Sequence, residues 1–90
     1  MTHKIKIEKP YADAVLSESK TFEIRYDDRG YQKGDLIEFN VIDHNDNEIN
    51  HPLNDKTFLI TYVLHGWGLK PDWCVFSIKE VSENETDKTE

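Results

Sequence analysis

Lys20, Glu23 and Arg25 fall within six residues of one another, with Arg29 and Lys33 close behind. A carboxylate set between two cations stays ionised and orients both donors. Lysine then offers a point charge and arginine a planar fork, a set suited to a phosphate or a base edge. On a solvated strand face the same groups would form only an ion-pair cluster, worth under about 1 kcal/mol per pair. For catalysis, Lys20 would act as base and Glu23 as its acid–base partner, which demands a desolvated lysine. A second group lies later, where Gly66 and Gly68 bracket Trp67 and Lys70 follows. An indole there can stack on a base while the lysine meets phosphate, or it can close one end of the fold.

The remaining chemistry-bearing residues point to less. Asp43, Asn45 and Asn47 have the spacing that opens a calcium loop, but Glu48 stands where glycine is needed and Asn54 where a bidentate glutamate is needed. His44, His51 and His65 show no paired spacing and no cysteine near them in sequence, so no metal is expected. Cys74 alternates inward on a strand and reads as a small core residue. No phosphate loop, dinucleotide fingerprint or serine elbow is present, and no cofactor is expected.

The elements that must position these groups are short. Lys4–Ile7 alternates and predicts a first strand. Pro10 suits a first helical turn, and Tyr11, Ala14 and Val15 predict an apolar stripe on a helix ended by residues 17–19. Thr21–Tyr26 predicts a strand with Phe22, Ile24 and Tyr26 on one face and Thr21, Glu23 and Arg25 on the other. Asp27–Gly30 and Lys33–Asp35 predict tight turns, the second with Gly34 at positive φ. A strand over 35–42 turns Ile37, Phe39 and Val41 inward, and residues 43–55 read as a polar hairpin loop. Thr57–Leu64 is apolar on both faces and therefore predicts a central strand. Trp73–Lys79 is the last strand, with Cys74, Phe76 and Ile78 inward and Trp73 outward against the helix or a loop. Core roles are expected for Tyr26 and Tyr31.

Ninety residues with 37% apolar and 32% charged content describe one small domain. No apolar run reaches the roughly 18 residues of a membrane span, and the single cysteine fits a reducing compartment, so a cytoplasmic chain is expected. The net charge is −7, yet residues 1–34 carry seven cations against six anions while residues 35–90 carry four against twelve. A local basic surface is compatible with that distribution; wide tracking of a polyanion is not. Residues 82–90 lack any core-forming side chain and are expected to be a disordered acidic tail. The whole predicts an α+β fold: a small, mostly antiparallel barrel of five to six strands with one early helix.

The order of strand, short helix, the Lys20–Arg25 segment and then Lys33-Gly34-Asp35 opening a strand resembles the ASCH domains (activating signal cointegrator-1 homology) of the PUA-like superfamily. Their Gly-x-Lys-x-x-Glu-x-Arg signature is matched at Lys20, Glu23 and Arg25, with a departure at Ser17, where many members have Gly; at Ser19 many carry Glu or Arg. Tyr62–Gly66, Gly68-Leu69 and Val75–Lys79 are similar to short phage and bacterial ASCH-like proteins, and the resemblance covers roughly residues 3 to 79. It implies a PUA-like barrel whose cleft, with Lys20, Glu23, Arg25, Arg29, Trp67 and Lys70, holds RNA or a nucleotide, single-stranded or small. It also implies a hydrolase alternative. One relative that hydrolyses acetylated cytidine uses a lysine, a threonine and a glutamate; Lys20 matches the lysine, Glu23 replaces the threonine, and the insert bearing the glutamate is missing. Ribonuclease activity is associated with the family as well. A third expectation is an adaptor that meets a protein partner through the acidic tail or loop 43–55.

Overall fold

A computed structural model describes residues 1–82. The elements run β1 (Thr2–Glu8), α1 (Lys9–Leu16), β2 (Phe22–Tyr26), β3 (Leu36–Ile42), β4 (Thr57–His65) and β5 (Trp73–Val81). Five strands make one sheet in the order β1-β3-β4-β5-β2. β1 and β3 are parallel, and the other three pairs are antiparallel. The sheet curls until its two edge strands nearly meet: Arg25 Nη2 on β2 donates to the Lys6 carbonyl on β1 at 2.6 Å. The result is a five-stranded half-barrel with a seam between β1 and β2, and α1 makes the step from one to the other. The expected tail falls at residues 82–90, of which 83–90 lie outside the described residues.

The core follows the alternation of β1, β3 and β5. Ile5 and Ile7, Ile37, Phe39 and Val41, and Cys74, Phe76 and Ile78 all point inward and are buried. β4 is central, and its two apolar faces have a specific cause. Its register with β5 shifts between Ile60 and Tyr62, so Thr61 forms a bulge. One extra residue reverses the facing of all that follow. Phe58 and Ile60 face the core before the bulge, Val63 packs on it afterwards, and Tyr62 turns out to solvent.

Two expected faces are corrected by the packing. α1 buries Ala12 and Val15 instead of Tyr11, Ala14 and Val15. Ala12 lets the helix approach β1 and β3 closely, while Tyr11 remains exposed beside the Lys20 ammonium. On β2 the register sets Glu23 opposite Phe76 and Arg25 opposite Cys74, on the inward row of β5. Phe22, Ile24 and Tyr26 therefore lie outward, and Tyr26 is an exposed residue, not a core one. Tyr31 does enter the core.

The segment between β3 and β4 is a hairpin connection, but it is not merely polar. Pro52–Asp55 forms a 3-10 turn that drives Leu53 into the core with no exposure. Its polar residues satisfy backbone groups. Asn54 accepts from Val41 N and donates to Ile49 O, and Asp43 Oδ1 accepts from Asn45 N and Asn47 N. That last pair explains the Asp-x-Asn-x-Asn spacing as a turn. His51 Nδ1 caps Leu53 N, and its Nε2 lies 2.7 Å from Asp13 of α1, tying turn to helix.

The outer surface of the sheet is divided. Over β1 and β3 it carries Lys4, Lys6, Glu38 and Asn40. Over β4, β5 and β2 it carries Tyr62, Phe22, Ile24 and Tyr26, which are between 42% and 61% exposed. Trp73 stands on this side too, edge-on to Tyr26 at 6.1 Å, and not against the helix.

Candidate functional site

At the seam Lys20 and Arg25 converge on one carboxylate, that of Glu23. Glu23 is 5% exposed, and its Oε2 accepts from Lys20 Nζ at 2.8 Å. Lys20 also donates to the Phe22 carbonyl at 2.6 Å, so the ammonium is fixed by two oxygens. Arg25 Nη2 stands 3.5 Å from Glu23 Oε1 but gives its short bond to Lys6 O across the seam. Glu23 Oε1 is thus left buried with no hydrogen bond. A buried carboxylate oxygen without a hydrogen bond is costly in a small core, and Arg25 Nη2 reaches it at ion-pair distance only. The Lys20 and Arg25 side chains are 17% and 24% exposed. This is a half-buried clasp, not the solvated strand-face cluster that spacing alone allowed.

Tyr31 lies beside it. The residue is 4% exposed, its ring centroid 4.8 Å from those of His3 and Phe76. Its hydroxyl has no hydrogen-bond partner among the described residues. Burial pushes the phenol above its usual value, and the positive charges of Arg25 and Arg29 oppose the rise. Arg29 is only loosely tied, 3.9 Å from Asp28. His3 Nε2 lies 2.8 Å from Asp35 Oδ2, which also accepts from Gln32 N. Burial alone would raise the Asp35 carboxyl, but His3 and the Gln32 N–H outweigh it and hold it below 3.8. His3 and Tyr31 were not legible as site residues, because an inward position on a strand or loop signals only packing.

Lys20 also borders a groove of about 470 Å³ between the end of α1 and the far ends of β4 and β5. Lys56 and Lys79 line it together with apolar Phe58 and Ile78. Lys56 is paired with Glu80 at 3.1 Å, whereas Lys79 has no ion pair among the described residues.

The other expected pair is not at the clasp. Trp67 sits in the loop after β4 at a φ of 54° and is 89% exposed, so it closes no end of the barrel. Lys70, in the same loop, is exposed and has no ion pair among the described residues. Beneath this loop Asp27 Oδ2 lies 2.9 Å from His65 Nε2, with the Cys74 thiol beside them. His65 does have a cysteine partner, then, supplied by the β4–β5 register that sets it opposite Cys74. No helix among the described residues is long and apolar enough to cross a membrane.

Against known proteins, no curated sequence matches this chain. A family model described as a domain of unknown function, DUF3850, matches residues 2–78, which include every strand but the end of β5, and the whole of the seam. The chain belongs to the DUF3850 family.

Proposed function

We propose that this member of the DUF3850 family is a PUA-like module that binds RNA or a nucleotide at the β1–β2 seam. The observation that carries the reading is the buried, donor-less Oε1 of Glu23 between Lys20 and Arg25. A base amino group or a sugar hydroxyl supplies the missing donor. The N–H groups of Arg25 and Arg29 that are free of partners face phosphate, and the Tyr31 hydroxyl pairs with base or sugar. Trp67 and the outward rings of Phe22, Tyr26 and Tyr62 offer stacking surfaces to an adjacent nucleotide of a single strand. The ammonium of Lys20 also reaches the groove in which Lys79 is unpaired. A hydrolase would need the Lys20 amine free to accept a proton, whereas in this reading its bonds to Glu23 Oε2 and the Phe22 carbonyl hold it as a ligand-facing donor.

Short single-stranded RNA and a panel of free nucleotides, titrated at two salt concentrations, test this. Arg29→Ala and Trp67→Ala are the informative variants, because both side chains are exposed and neither holds the fold. Trp67→Ala is expected to cost about 1–3 kcal/mol of RNA binding with little effect on a mononucleotide. Arg29→Ala is expected to weaken both and to flatten the salt dependence. A folded wild type that binds no member of the panel rules the reading out. A change in ligand mass would move the protein to the hydrolases.

A further inference from the structure

Asp27 follows β2, His65 ends β4 and Cys74 is the second residue of β5. The strand pairing brings them together, with Cys74 opposite Arg25 on one side and His65 on the other. One carboxylate oxygen, one imidazole nitrogen and the thiol sulfur all lie within 4.8 Å of one another. We propose that these three residues form a binding site for a borderline transition metal of the zinc class, a site separate from the seam.

The donor set decides the class. Thiolate and imidazole select zinc-like ions over magnesium or calcium, which prefer oxygen alone. Around a tetrahedral zinc with bonds of about 2.0–2.3 Å, the ligand atoms stand about 3.5 Å apart. The three atoms already lie within 4.8 Å of one another, and a rotamer adjustment of the exposed His65 would bring the set to that spacing. Asp27 is also held as metal ligands are held. Its Oδ1 accepts from Gly30 N at 2.9 Å and Tyr31 N at 3.0 Å, which turns Oδ2 toward His65 and Cys74. Its own N–H donates to Asp72 O at 2.8 Å and joins the two loops of the site.

Access is one-sided. Cys74 is fully buried, the Asp27 side chain is 14% exposed and the His65 side chain 54%. A metal therefore enters past His65 and keeps a fourth position toward solvent, as in three-ligand zinc sites. Binding takes the Cys74 sulfur as thiolate: the S–H bond breaks, the proton leaves to solvent and a sulfur–metal bond forms. Loading would also clamp the loop from Gly66 to Asp72, in which Gly66, Trp67, Gly68 and Asp72 all have positive φ.

Co(II) and Zn(II) titrated into chelator-treated full-length protein decide the matter. Wild type is expected to bind one equivalent and to develop a thiolate-to-cobalt charge-transfer band. Cys74→Ser should lose the band. His65→Ala, at an exposed side chain that leaves the core intact, should weaken binding at least about tenfold. The proposal is overturned if wild type gives no charge-transfer band, or if His65→Ala binds Co(II) as well as wild type does. RNA binding by metal-free protein is read separately, so failure of either proposal leaves the other standing or falling on its own data.

Discussion

Glu23 is the residue on which the seam depends, and its surroundings set the size of its effect. It is the acceptor for Lys20 and the nearest anion to Arg25, and these cations in turn hold the Phe22 and Lys6 carbonyls. Removing one partner of a buried pair costs about 3–5 kcal/mol when the remaining charge is sealed from water. Lys20 and Arg25 retain some exposure, so Glu23→Ala is expected to cost about 2–3 kcal/mol, read as a lower urea midpoint at unchanged slope. A loss under about 0.5 kcal/mol would mean that the clasp is only a surface cluster. Glu23→Gln separates the two roles of the residue. Its amide can still accept from Lys20, so stability should fall less than in Glu23→Ala while ligand binding still weakens.

At the scale of elements, the connection between β3 and β4 is where composition and structure part most sharply. Residues 43–55 look like a solvent loop, yet the 3-10 turn carries Leu53 as deep as any core side chain. Leu53→Ala is expected to cost about 2–5 kcal/mol by transfer and cavity formation. Trp67→Ala, larger in volume lost but exposed, is expected to change the thermal midpoint hardly at all. Equal losses in the two variants would contradict the packing described. The bulge at Thr61 works at the same scale: its hydroxyl meets that of Ser77 at 2.6 Å, and the half-strand after it presents Tyr62 outward beside the β5 and β2 rows.

Across the whole molecule, three His–Asp contacts join distant segments: His3 with Asp35, His51 with Asp13, and His65 with Asp27. At Asp13 the bonds to His51 and Lys9 lower the carboxyl. At Asp27 burial raises it, but His65 and the Tyr31 and Gly30 N–H groups outweigh that rise and lower it overall. With Asp35, and with Asp43 lowered by its turn bond from Asn47, these make four acids whose folded pKa lies below the ordinary 3.8. A depressed carboxylate binds its proton more weakly when folded. Its stabilisation is therefore complete above the unfolded pKa, and it is lost as pH falls through that value toward the folded one. The urea midpoint is expected to hold from pH 7 to about pH 5 and then to drop steadily toward pH 2. Asp35→Asn should flatten part of that drop; an unchanged acid limb in that variant would show that the His3 contact contributes nothing.

The sequence by itself determined where the strands fall along the chain, because period-two alternation and glycine or proline punctuation are local properties. β1, β3 and β5, the helix start at Pro10, the turns at Gly30 and Gly34, and the inward Cys74 all follow from neighbours in the chain. Only the tertiary structure decided which face of β2 turns inward. Phe22, Ile24 and Tyr26 alternate as a core row would, but the inward slot of an edge strand at the seam borders the Lys6 carbonyl and Lys20. A carboxylate and a guanidinium satisfy those groups and an apolar row cannot. The same holds for the Tyr31 environment and for Asp27, His65 and Cys74. Each is unremarkable where it stands in sequence, and the groups meet because strand register places remote residues side by side.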